Sequence, residues 1–184
     1  MSTPFHLIGL VGMPGAGKSV AADFFKQRNI PVLRFGDQTD IGLKEHNLSR
    51  NEKNERWYRE KLRADLGMAA MAIKIEPRII EESRKGNRIV LDGLYSWEEY
   101  VYLKRRFPQL ILLCVYASPD VRYKRLMIRK VRPLTIEEAR TRDRAEIENL
   151  HKGGPIAIAD YLVMNNKTKK EFIAQLVLVS KNIV

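Results

Sequence analysis

A chain of 184 residues has room for one well-buried core but not for two ordinary domains; it has no low-complexity tract, and no apolar run approaches the roughly 20 residues of a membrane helix. The formal charge of +11, from 33 basic and 22 acidic residues, favours anionic partners: nucleotides, phosphorylated metabolites or nucleic acids. The single cysteine, Cys114, excludes an internal disulfide, and His6, His46 and His151 stand at no metal-ligand spacing that would support a zinc site. The N-terminal stretch Met1 to Phe5 lacks a basic segment followed by a long apolar one, which argues against export and predicts a cytoplasmic protein.

The first apolar run, Phe5 to Val11, predicts a strand that leads directly into Gly12-Met13-Pro14-Gly15-Ala16-Gly17-Lys18-Ser19. This stretch fits the pattern G-x-x-x-x-G-K-[ST], and a helix-like segment, Lys18 to Arg28, follows it. In such a loop the glycines let backbone N–H groups close around phosphates, the lysine neutralises β/γ charge, and the hydroxyl coordinates Mg²⁺ at the positive end of the helix. The expected nucleotide-binding residues are therefore Gly12, Met13, Pro14, Gly15, Ala16, Gly17, Lys18, Ser19 and Val20, with ATP and Mg²⁺ as the cofactors.

The second strand, Pro31 to Phe35, ends in Gly36-Asp37, where the Asp37 carboxylate is placed to orient an acceptor hydroxyl or take its proton; capping a helix is its other reading. A long helical stretch, Arg50 to Lys85, makes the region of about 38–86 an insertion rather than a simple crossover. The third strand, Arg88 to Leu91, delivers Asp92-Gly93, and at a strand end beside the loop Asp92 joins Ser19 as the candidate metal residue. Capping patterns then start helices at Ser96, with Glu99 three residues on, at Ser118 before Pro119, and at Thr135 with Glu138.

The fourth strand, Leu110 to Tyr116, precedes a helix from Pro119 to about Arg129 that carries Arg122, Arg125 and Arg129 on one face, with Arg132 just beyond. Guanidinium groups suit the charge spread over a transferring phosphoryl group, so Arg125 and Arg129 are expected to be catalytic alongside Lys18, Asp37 and Asp92. A small lid spans about 129–141, and a helix from Thr135 to Asn149, a last strand from Tyr161 to Met164 and a last helix from Thr168 to Val179 complete the chain. Strand-length apolar runs alternating with helices predict an α/β fold, a parallel sheet covered on both faces.

These motifs resemble those of the P-loop nucleoside and nucleotide kinases, which include adenylate kinases and dephospho-coenzyme A kinases, over nearly the whole length. The resemblance rests on Gly12 to Ser19, Gly36-Asp37, Asp92-Gly93 with Ser96-x-Glu98-Glu99, Ala117-Ser118-Pro119 with Arg122 and Arg125, and Ala159-Asp160-Tyr161 with Asn165. It is closest to small proteins described as adenylate-kinase-related. It implies a three-layer P-loop NTPase fold with a five-stranded parallel sheet, a helical acceptor-binding insertion and an arginine-bearing lid within a single domain, 1–184. It also implies that Asn165 and Asn166, after the last strand, contact the adenine. Adenylate-kinase-like proteins grip the acceptor's phosphate with an arginine three residues after the Gly-Asp aspartate and another shortly after the Asp-Gly pair. Here Asp40 and Tyr95-Ser96 stand in those places, which turns the expectation toward other arginines, Arg50, Arg56, Arg59 or Arg63, or toward an acceptor that offers a hydroxyl.

The function that follows is a Mg·ATP-dependent phosphotransferase acting on a small anionic, nucleotide-like acceptor such as a nucleoside monophosphate or dephospho-coenzyme A, with nucleic acid a secondary partner and no membrane involved. The alternative is an ATP-switched binding module or NTPase acting on a polyanion such as RNA, supported by the charge and the missing arginines and opposed by Glu52, Glu55, Glu60 and Asp65 among the basic residues of the insertion.

Overall fold

The computed structural model describes residues 5–86 and 88–183; the N-terminal reading of Met1 to Pro4 lies outside them. Five strands, β1 (His6–Val11), β2 (Val32–Arg34), β3 (Arg88–Asp92), β4 (Leu110–Tyr116) and β5 (Tyr161–Met164), form one sheet in the order β2-β3-β1-β4-β5, every pairing parallel. Parallel strands need crossovers, and helices provide them on both faces: α1 (Lys18–Lys26), α2 (Gly36–Glu45), α3 (Glu52–Leu66), α4 (Ala70–Ser83), α5 (Trp97–Arg106), α6 (Pro119–Ile128), α7 (Ile136–Glu148), α8 (Gly153–Ala157) and α9 (Lys169–Asn182).

The side-chain alternation of a strand divides the core into two layers. From β1, Leu7 and Val11 pack with Ile75 and Ile79 of α4 and Leu103 of α5. Ile8 and Leu10 face the other way, against Phe24 and Phe25 of α1 and Phe172 and Leu176 of α9. Burial on both faces is why these strands read as continuous apolar runs rather than alternating ones. Since β1 is central and bonded to both β3 and β4, the loop after it and the C-terminal end of β3 emerge side by side, with Leu10 in register with Asp92.

The helical stretch expected from Arg50 to Lys85 is two helices. Gly67 ends α3 with φ 77°, and α4 packs across it, so that Leu43, Tyr58, Leu62 and Ala70 form a third, smaller core joining α2, α3 and α4. The structure also adds α2, which opens where the second strand was expected to end and carries Asp37 in its first turn, in line with the helix-start reading of that residue. Capping boxes start α5 at Ser96/Glu99 and α7 at Thr135/Glu138 as expected, and a third starts α9 at Thr168/Glu171. Ser118 is the N-cap of α6, with Pro119 in the first turn and no side-chain cap bond. Among the described residues no helix is long and apolar enough to cross a membrane.

Candidate functional site

The loop from Gly12 to Ser19 turns back over the C-terminal edge of the sheet, and its shape depends on glycine at two contacts. A Cβ on Gly12, at φ 139°, would lie 2.3 Å from the Val115 carbonyl oxygen, and one on Gly17, at φ 109°, would lie 2.2 Å from the Asn165 amide nitrogen. Lys18, in the first turn of α1, folds its side chain back over the loop and donates to the carbonyls of Gly12 at 2.7 Å and Met13 at 3.2 Å. Burial, reinforced by the positive charge of Lys152, lowers the Lys18 pKa to about 7, against the opposing pull of Glu146 and Asp92.

A cavity of about 350 Å³ opens over this loop. Pro14, Gly15, Gly17, Lys18 and Ser19 of the loop line it together with Arg34, Asp92, Tyr95, Arg125, Leu126, Arg129, Arg142, Glu146 and Lys152. Six cations and two carboxylates thus converge on one volume, an arrangement suited to a polyphosphate. Asp92 lies 3.7 Å from Arg34; burial raises its pKa, with Lys18 and Arg34 opposing and Asp23 and Asp37 adding to the rise. Ser19 and Asp92 also share a recess of about 340 Å³ with Asp23 on the far side of the loop. A hydroxyl and a carboxylate beside a phosphate loop form the hard, oxygen-only donor set that suits Mg²⁺, which takes few protein ligands and fills the rest of its shell with phosphate and water.

Three residues singled out in the sequence, Arg122, Arg125 and Asn165, brace the loop. The arginines of α6 do not act as one face. Arg122 is 4% exposed, and its guanidinium forks onto Asp143 of α7 at 2.9 and 2.5 Å while also reaching the carbonyls of Pro14 at 3.0 Å and Ala117 at 3.2 Å. It therefore ties α6, α7 and the loop together and is withheld from the cavity. Arg125, one turn on, approaches the Gly15 carbonyl at 3.5 Å and donates to the Asn165 carbonyl at 2.8 Å and amide oxygen at 3.3 Å. Asn165 in turn is buried and donates its amide to Ala16 at 2.7 Å. Its side chain thus supports the loop from both ends of the amide, with one N–H of the amide given to Ala16. Asn165 still lines a neighbouring recess of about 200 Å³ with Gly17, Val20, Arg125, Lys169 and Phe172. Asn166 accepts from the backbone N–H of Ser118.

The sequence-expected residues Lys18, Ser19, Asp92, Arg125 and Arg129 come together around the cavity. Asp37 does not line it. Instead of ending a strand, Asp37 sits in the first turn of α2, with its carboxylate 3.5 Å from Arg78. Of the four arginines expected to replace the missing acceptor grip, Arg50 meets Asp40 and Glu55, both at 3.2 Å, Arg56 meets Glu60 at 2.8 Å, and Arg59 lies within 3.7 Å of Glu52 and 3.6 Å of Glu55; Arg63, in the last turn of α3, forms no ion pair among the described residues. Arg132 bridges from beyond α6 to Glu52 at 3.0 Å and Glu55 at 3.4 Å. Sequence alone does not single out Arg142, Glu146, Lys152 or Tyr95. The signal available for part of this group was the Thr135 cap, which sets the register of α7 and puts Arg142 and Glu146 one turn apart.

A family model described as an AAA domain matches residues 8–156. UPF0200 proteins match nearly the whole chain: that of Pyrococcus abyssi is 30% identical over 182 residues, 97% of each chain, and that of Methanoculleus marisnigri is 35% identical over 172 residues, 92% of each. Among solved structures, TT1252 from Thermus thermophilus superposes with a TM-score of 0.70 at 20% identity, covering 99% of this chain and 100% of that one. A shikimate kinase from Bacteroides thetaiotaomicron gives 0.60 at 16% identity over 97% of each chain, and a gluconokinase from Sinorhizobium meliloti gives 0.54 at 16% over 100% of this chain and 97% of that one. These three share the fold.

Proposed function

This chain belongs to the UPF0200 family and has a P-loop kinase-like fold; on that premise we propose that it is a Mg·ATP-dependent phosphotransferase acting, in the cytoplasm, on a small nucleotide-like acceptor that presents a hydroxyl. The observation that carries the reading is the convergence of Lys18, Arg34, Arg125, Arg129, Arg142 and Lys152, from separate elements, around a loop that also bears Ser19 and faces Asp92. Catalysis of phosphoryl transfer consists largely of positioning and charge stabilisation, and this set of cations supplies both.

In this reading the triphosphate lies on the loop with Lys18 against its β- and γ-phosphates and Arg125 and Arg129 against the charge that develops on the transferring group. Mg²⁺, held by the Ser19 hydroxyl with Asp92 in reach, supplies charge neutralisation and in-line alignment when bound. Asp92, one of the two carboxylates in the cavity and the one not held by Lys152 and Arg142, orients the acceptor hydroxyl. A bond forms from the acceptor oxygen to the γ-phosphorus as the bond to the β,γ-bridging oxygen breaks, ADP leaves, and the hydroxyl proton passes to Asp92. The region 38–86 serves as the acceptor-binding insertion and 129–141 as the lid of a single domain, with Asp37 at the acceptor entrance. A hydroxyl acceptor is favoured over a nucleoside monophosphate because Asp40 stands where a guanidinium would be needed, and Arg50, Arg56 and Arg59 are matched by carboxylates.

The test is transfer from γ-labelled ATP and Mg²⁺ to a panel of nucleosides, nucleoside monophosphates and dephospho-coenzyme A, with Lys18→Ala as control. Labelling of a hydroxyl acceptor, lost in the control, is the expected result. Nucleotide binding without transfer to any acceptor would overturn it in favour of an ATP-switched module, and a steep fall of RNA affinity with salt would then identify the polyanion.

A further inference from the structure

We propose that Lys152 is a second phosphate-binding lysine of this cavity, held against Glu146 and facing the terminal phosphate of a bound nucleoside triphosphate alongside Lys18; the inference rests on the nucleotide reading above.

Lys152 precedes α8 and is 1% exposed, yet it lines the cavity over the loop. A lysine so enclosed normally has an anion to itself. Here the carboxylate it meets, Glu146, is shared with Arg142, which bonds the same group at 3.0 Å. Burial alone would push Glu146 up, but the two cations outweigh it and hold it ionised; burial pushes Lys152 itself down from the ordinary lysine value, with Glu146 opposing. The cluster of Arg142, Glu146 and Lys152 therefore sets two cations against one anion, with Lys18 as a third cation close enough for Lys152 to lower its pKa. The ammonium of Lys152 also lies 4.4 Å from the centre of the Tyr95 ring, a second soft contact that holds it in place without neutralising it.

An excess of buried positive charge around one small cavity is costly unless an anion enters it. The loop takes a polyphosphate's inner phosphates on its backbone N–H groups, and Lys152 reaches the same cavity from outside the loop, beside Tyr95, so the phosphate left for it is the one the loop does not enclose. A purely structural pair joining α7 to α8 has no need to line the cavity, since apolar side chains of similar volume hold two elements together as well. A compact ammonium with three donors also has bonds to spare after Glu146, which leaves it able to gain a phosphate oxygen without first losing its partner.

The consequence is selective: Lys152 recognises the third phosphate and is indifferent to the first two. The test is calorimetric titration of the full chain with Mg·ATP and with Mg·ADP for the wild type, Lys152→Met, Lys152→Arg and the double variant Lys152→Met/Glu146→Gln, which removes both charges and so leaves no carboxylate without its lysine. ATP affinity should fall about tenfold or more in both Met variants while ADP affinity stays within about twofold, with Lys152→Arg recovering part of the loss. Equal losses for ATP and ADP, or no loss for either in the double variant at an unchanged Tm, would overturn the inference and leave the pair as a tie between helices. Failure of the wild type to bind either nucleotide would instead overturn the nucleotide reading on which it rests.

Discussion

Around the Gly12–Ser19 loop, six cations and two carboxylates line a cavity of about 350 Å³, whereas in the insertion between β2 and β3 the same residue types are set against each other: Arg50 with Asp40 and Glu55, Arg56 with Glu60, Arg59 with Glu52 and Glu55. A count of basic residues does not distinguish the two regions; their pairing does. Charge left unmatched in a partly enclosed cavity is available to a phosphate, while charge already answered on a helix surface contributes little to any ligand. The first region leaves positive charge open to an anion, and in the second Arg50, Arg56 and Arg59 are already answered by carboxylates.

The largest effect that sharpens the contrast should come from Arg122, which supports the cavity without lining it. Arg122→Ala leaves Asp143 buried without its partner and should cost about 3–5 kcal/mol, lowering Tm by roughly 10 °C in a thermal melt. A variant that melts like the wild type would mean that the loop does not depend on this tie. Lys18→Ala should leave Tm almost unchanged and reduce phosphoryl transfer roughly 10²–10³-fold, read from initial rates under saturating Mg·ATP. Third is pH. With its pKa at about 7, Lys18 is mostly neutral at pH 8 in the free protein, and a polyphosphate favours its charged form. Binding should therefore take up a proton, and ATP affinity should fall as pH rises above 7, by at most about tenfold per unit. Titrations at pH 8 in two buffers of different ionisation enthalpy measure the uptake, and identical heats in both would break the account of Lys18. The smallest effect belongs to the insertion side: Arg50→Ala and Arg132→Ala, each half or more exposed, should cost less than about 1 kcal/mol in stability and change transfer less than about threefold. A large rise in the acceptor's KM for Arg50→Ala would show that this arginine leaves its carboxylates to hold substrate.

The parts of the molecule that sequence revealed are those fixed by local chemistry. Strands buried on both faces read as apolar runs, and the loop motif, Asp92 at its strand end and the caps at Ser96 and Thr135 all lie where their residues indicate. The remainder depends on contacts between distant segments. Arg122 has the same helical spacing as Arg125, and only Asp143, 21 residues on, withdraws it from the cavity. That Asn165 also braces the loop follows only from Ala16, 149 residues earlier, which accepts from its amide. Helix α2 is legible only as the capping alternative for Asp37, because Gly36-Asp37-Gln38-Thr39 opens it with turn-like residues and little apolar periodicity, and α8 is missed because five residues beginning Gly-Gly-Pro read as a turn. Lys152 and Glu146 belong to the cavity only because α7 packs on α6, which no local pattern announces.

The central claim is one polyphosphate site beside an acceptor face that lacks a phosphate grip. It is tested most directly by comparing the affinities of Mg·ATP and of a bridged analogue, two adenosines joined through five phosphates, in the same calorimetric titration. The account predicts that the bridged compound binds within about tenfold of ATP, because Arg50, Arg56 and Arg59 on the acceptor side already face carboxylates and Asp40 stands where a guanidinium would be needed. An affinity roughly 10³-fold or more above that of ATP would reveal a second nucleotide site gripping a phosphate and would contradict it.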